Sequence, residues 1–145
     1  MDFGSIHIDH IGIATNDLDG ASNFWKLLGL IQNTEDETVE EQGVTTRFFS
    51  TSAPDESVEN HPPMVELLQP TSEDTPIGRF LAKRGAGIQQ LCFRVENLQA
   101  LIDHLLDNGI KMIDNEPKLG AGGSIIAFVH PKSTGGVLVE LKQNN

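Results

Sequence analysis

One cysteine, Cys92, stands in 145 residues, so no disulfide can close within the chain, and a reducing compartment fits. It lies in the apolar run Leu91-Cys92-Phe93, which reads as a buried, inert thiol. Long apolar runs are also missing, and none approaches the roughly 20 residues that span a bilayer. The first ten residues have neither a basic start nor an apolar segment, so no signal peptide is expected and the expected address is cytoplasmic. Cations are scarce: 10 Lys and Arg against 21 Asp and Glu, a net charge of −11. This balance argues against nucleic acid and against an anionic membrane surface, which need clustered Lys and Arg. An anionic small ligand would need local help, from a metal or a few placed cations. No short-range metal motif such as HExxH is present. What remains has the length and the 38% hydrophobic content of a single soluble domain, 1–145.

The chain repeats itself. IDHIGIATNDLDGASNFWKLLGL (8–30) aligns without a gap on IQQLCFRVENLQALIDHLLDNGI (88–110), at an offset of 80 residues. Each copy opens as a strand, Ile11-Gly12-Ile13 and Leu91-Cys92-Phe93. A helix follows, capped by Asn16 or Asp17 in the first copy and by Asn97 in the second. Ala21, Phe24, Trp25 and Leu28 lie at helical spacing, as do Leu98, Leu101, Ile102 and Leu105. Gly29 and Gly109 sit where a helix C-cap belongs. Three strands are expected next in each copy, near 30–37, 43–50 and 63–69, then near 110–113, 123–129 and 136–142. The last strands also match, Val65-Glu66-Leu67 against Val139-Glu140-Leu141. The expected fold class is therefore α+β, a βαβββ unit used twice. Unit one covers about 5–70 and unit two about 86–143, with a linking helix at about 74–85 that has proline early. Residues 52–63, with three prolines, read as a surface loop.

The repeat pairs the polar residues. His10 in the first strand has Gln90 as its mate, and Glu66 in the last strand has Glu140. All four interrupt apolar strands. One such residue would ordinarily face solvent, but four, matched two by two, point to a shared inward surface. Buried glutamates are costly unless paired or metal-bound. One imidazole, one amide and two carboxylates make a set for Co²⁺, Zn²⁺, Ni²⁺ or Mn²⁺.

With these ligands, the two-unit pattern resembles the vicinal oxygen chelate superfamily, which includes glyoxalase I and the methylmalonyl-CoA epimerases. The epimerase likeness covers nearly the whole chain. It rests on IDHIGIATNDLDGASNFW (8–25), EEQGV (40–44), VELLQPTSEDTPIGRFLAKRGAGI (65–88), EPKLGAGG (116–123) and, most specifically, HPKSTGGVLVEL (130–141). It implies two βαβββ units with pseudo-twofold symmetry, forming a curved, partly closed mixed sheet around the metal. It also implies an acyl-CoA substrate, a homodimer, and Glu140 as both catalytic base and labile ligand. The epimerases carry a His-His pair where this chain has Gln89-Gln90, although some glyoxalases use a glutamine ligand. Thr46 stands where one member has glutamate, which leaves the second acid–base group open, with Glu41 or a water as candidates. Lys83, Arg84, Lys118 and Lys132 are the cations available to the CoA moiety, and Lys132 lies in the loop that the likeness makes part of the active site. For Lys83 and Arg84 the alternative is an ordinary solvated helix end. Two other functions share the superfamily: a glyoxalase I-like lyase, and a non-catalytic binding module.

Overall fold

The computed structural model describes residues 3–51 and 61–144. Its elements run β1 (Ile6–Ala14), α1 (Leu18–Leu28), β2 (Glu37–Val39), β3 (Val44–Phe49), β4 (Met64–Pro70), α2 (Pro76–Arg84), β5 (Gly87–Val95), α3 (Leu98–Asp107), β6 (Lys118–Leu119), β7 (Ile125–Val129) and β8 (Val139–Gln143). The order is β-α-β-β-β, a linking helix, and β-α-β-β-β again, as the repeat predicts. Among the described residues no helix is long and apolar enough to cross a membrane.

Two compact units emerge, and they are not the two sequence copies. One is His10–Gln89, and the other combines Met1–Asp9 with Gln90–Asn145. In His10–Gln89 the strands run β2-β3-β4-β1, with β1 parallel to β4 and the others antiparallel. Ile11 and Ile13 alternate to the helix side of β1. There Ile13 joins Leu18, Trp25, Phe49, Val65 and Leu67 in an apolar core. In the second unit the order is β5-β8-β7-β6, with β5 parallel to β8. Its core gathers Leu98, Leu101 and Ile102 of α3 onto Val95, Ala127, Val129 and Leu141, with Phe3 and Phe93 at the margin.

Helix ends follow the expected chemistry. Asp17 accepts from Gly20 N at 3.1 Å, and Asn97 accepts from Ala100 N at 3.1 Å, each closing an open first turn. Thr75 does the same for α2 at Gly78 N (3.0 Å), with Pro76 in its first turn. A second device recurs in both units. Gln69 Oε1 at the end of β4 accepts from Leu18 N (3.0 Å), and Gln143 Oε1 at the end of β8 accepts from Leu98 N (2.8 Å).

Three details differ from the sequence pattern. The strands expected at 30–37 and 110–113 reduce to single bridges, Ile31 to Ser50 and Met112 to Val129. Around 32–36 a local turn replaces the ladder, with Gln32 Nε2 donating to Thr34 O and to Asp36. In α1 the buried side is Leu18 and Ser22 with Ala21 and Trp25 partly covered, whereas Phe24 and Leu28 are exposed at 61% and 60%. Ser22 tolerates burial because its hydroxyl donates to Leu18 O (2.6 Å) and accepts from Arg47 (2.8 Å). Gly29 caps α1 with φ 107°, but α3 ends on Asn108, and Gly109 follows it with φ 79°. Of the expected loop at 52–63, residues 52–60 lie outside the described residues.

Candidate functional site

In the unit His10–Gln89, alternation turns His10 and Glu66 to the strand face opposite the apolar core. Both are buried, with His10 Nε2 3.1 Å from Glu66 Oε1. Phe48 of β3 lies in register with Glu66 and meets the His10 ring edge to face, with centroids 5.2 Å apart. Thr46 follows on the same face of β3, buried, and its hydroxyl reaches Glu37 O at 3.4 Å. Glu41 is exposed in the 3-10 turn that precedes this strand.

The second unit repeats the construction with different chemistry. Gln90 and Glu140 are buried on β5 and β8, and Gln90 Nε2 donates to Glu140 Oε1 at 2.6 Å. Phe128 stands in register with Glu140, as Phe48 does with Glu66. Cys92 is paired with Glu140 across β5 and β8 and is fully buried, as the apolar run around it predicts. Each unit therefore buries one carboxylate on its last strand and sets against it a nitrogen from its first long strand. Within the unit His10–Gln89, His10 Nε2 and Glu66 Oε1 are a nitrogen and an oxygen of the kind that metal ions take.

The four cations occupy different settings. Lys118 Nζ lies 5.1 Å over the Phe128 ring and 3.2 Å from Asp114, whose other oxygen accepts from Phe128 N. Lys132 is exposed in a 3-10 turn, where His130 Nδ1 accepts from its backbone N–H at 3.1 Å, so His130 holds the shape of that loop. Lys83 and Arg84 end α2 in solvent, with the Arg84 guanidinium 5.9 Å from the Phe80 ring centroid.

One group was not foreseen. Asp9, fully buried, holds Arg94 Nη1 at 3.3 Å and Lys142 Nζ at 3.4 Å. The three are far apart in sequence, and the available signal was two charges, Arg94 and Lys142, each inside a strand. A partly buried cation, Arg47 of β3, binds Asp36 (2.7 Å), Asp19 (3.0 Å) and Ser22. Its guanidinium holds the Asp36 carboxyl below the ordinary 3.8.

Comparison with known proteins gives the family. Residues 9–128 match the Glyoxalase/Bleomycin resistance protein/Dioxygenase superfamily. The mitochondrial methylmalonyl-CoA epimerase of Homo sapiens is 36% identical, over 94% of this chain and 73% of that protein. The ethylmalonyl-CoA/methylmalonyl-CoA epimerase of Cereibacter sphaeroides is 36% identical, over 94% of this chain and 96% of that protein. Among solved structures, Streptomyces coelicolor methylmalonyl-CoA epimerase in complex with 2-nitronate-propionyl-CoA superposes with a TM-score of 0.86 at 35% identity, over 95% of this chain and 94% of that one. The chain thus has the glyoxalase-like fold, and it belongs to the Glyoxalase/Bleomycin resistance protein/Dioxygenase superfamily, where its relatives are methylmalonyl-CoA epimerases.

Proposed function

We propose that this chain is a methylmalonyl-CoA epimerase, an isomerase that interconverts the (R) and (S) forms of an acyl-CoA by moving one α-proton. The observation that carries the reading is the pair of buried, repeat-related carboxylates, Glu66 and Glu140, each set against a nitrogen of its own unit. The likeness to epimerases names the substrate. The donor set fits a divalent cation, since buried carboxylates beside an imidazole and an amide are what Co²⁺, Zn²⁺, Ni²⁺ or Mn²⁺ take up. His10, Glu66, Gln90 and Glu140 would hold it. When bound, the cation supplies a Lewis acid for the substrate's carbonyl and carboxylate oxygens.

The residues of the chain do the rest. Glu140 takes the α-proton as general base, and the electron pair left on carbon delocalises into the thioester carbonyl. Return of a proton to the opposite face inverts the centre. Phe128, in register with Glu140, helps keep water from the base. Lys118, held over Phe128, and Lys132, in the His130 turn, are the cations best placed for the CoA phosphates, with Lys83 and Arg84 as further candidates. A homodimer belongs to the same reading and fits the apolar side chains that α1 leaves exposed, Phe24, Leu27 and Leu28. A cytoplasmic address belongs to it as well and fits a single, reduced Cys92. The relatives do not favour a glyoxalase-type lyase or a non-catalytic binding module.

The test is solvent deuterium incorporation at the α-carbon of methylmalonyl-CoA with Co²⁺ added, run beside the glutathione hemithioacetal. Exchange into the CoA ester is expected. Turnover of the hemithioacetal alone would move the chain to the lyases.

A further inference from the structure

We propose that Gln90 is the positioning residue for Glu140, a role that rests on Glu140 being the base. Its Nε2 donates to Glu140 Oε1 at 2.6 Å, between two buried side chains of the same unit. An ionised carboxylate only accepts hydrogen bonds, so the amide must turn its NH₂ toward it, which settles the amide's orientation from chemistry alone. A hydrogen bond to a charged acceptor at this length is among the stronger kinds and restrains how the carboxylate rotates about its last bond.

The other unit shows what is particular about this choice. There the nitrogen facing the carboxylate is the imidazole Nε2 of His10, at 3.1 Å from Glu66. An imidazole nitrogen either donates a proton or offers a lone pair, and cannot do both at one atom. A primary amide separates the tasks. Its oxygen is available to a cation while its nitrogen keeps hold of the base. Glutamine at position 90 therefore gives up some ligand strength toward soft metals and supplies Glu140 with a donor.

Gln90→Glu separates the tasks experimentally, because it keeps the size and an oxygen ligand and deletes the donor. Its kcat for methylmalonyl-CoA is expected to fall about 10²-fold, since a misplaced base loses near that much. KM should stay within about threefold, and the Kd for Co²⁺ from calorimetry should be no weaker. A kcat within about threefold of wild type overturns the proposal. Should the added charge unfold the unit, Gln90→Met deletes the donor without it and faces the same kcat criterion. A wild-type chain that leaves methylmalonyl-CoA unchanged would instead count against the function. Pairing is then read without substrate or cation, from the urea unfolding of the metal-free chain in a Gln90→Met and Glu140→Ala cycle. Losses that depart from additivity uphold the positioning, and strictly additive losses overturn it.

Discussion

At the scale of single residues, the assignments divide by how far apart in sequence their partners lie. Replacing Glu140 by Gln should lower kcat by about 10²–10⁴-fold, the usual worth of a general base, with the fold intact. Deuterium exchange checks this, and exchange that persists in Glu140→Gln would place the base elsewhere. Asp9 carries a structural prediction. Asp9→Ala leaves Arg94 and Lys142 without their buried counter-charge and should cost about 3–5 kcal/mol in urea unfolding. That His10, Glu66, Gln90 and Glu140 are buried strand residues was legible because the repeat supplied the comparison that a single sequence otherwise lacks. Asp9 was not, because its partners Arg94 and Lys142 lie 85 and 133 residues away and the repeat does not pair them with it. The pairing within each unit was also hidden. Spacing says that Gln90 and Glu140 are both polar, but not that one donates to the other.

At the scale of elements, helix ends and the linking helix were readable from caps, since Asp17, Thr75 and Asn97 each satisfy a local donor. The short middle strands were not, because Gln32 and Asp36 draw the backbone into a turn that apolar periodicity cannot register. The buried side of α1 also escaped, because Ser22 took an inner position by bonding to Leu18 O and Arg47 while Phe24 was left outside. That same contact ties α1 to β3 through Arg47, and it responds to pH. The Asp36 carboxyl sits below its ordinary 3.8 in the folded chain because Arg47 bonds it. Its contribution is fully present above that value and is lost as pH falls through the lowered one. The gap in Tm between wild type and Asp36→Asn should therefore be open at pH 7 and narrow as pH drops toward 3. A gap that stays constant over this range would detach Asp36 from the stability of α1.

At the scale of the whole molecule, cation binding and chain division each give a measurable outcome. Dialysis against a chelator should abolish exchange, and Co²⁺ should restore it. Cation at about 100 times its Kd adds about 2.7 kcal/mol of stability, which for a domain of this size is about 5–10 °C in Tm. No change in Tm on adding Co²⁺ would argue against a resident metal. The compact units cross the sequence copies, since Phe3 packs on the core of the second unit and Asp9 binds its cations. A fragment 87–145 should therefore give the circular dichroism of a coil, and a cooperative melt from it would show that the second copy folds without the first residues of the chain.

The two glutamines that close the helices carry a consequence for how the chain reaches its native state. Gln69 reaches Leu18 N across 51 residues, and Gln143 reaches Leu98 N across 45. In each unit the helix's first turn is completed by the strand that is synthesised last, so neither helix is finished until its sheet has formed. Such distant closures slow a fold's assembly. They also remove the half-built species in which a lone helix stands ready while its strands lie open to other chains.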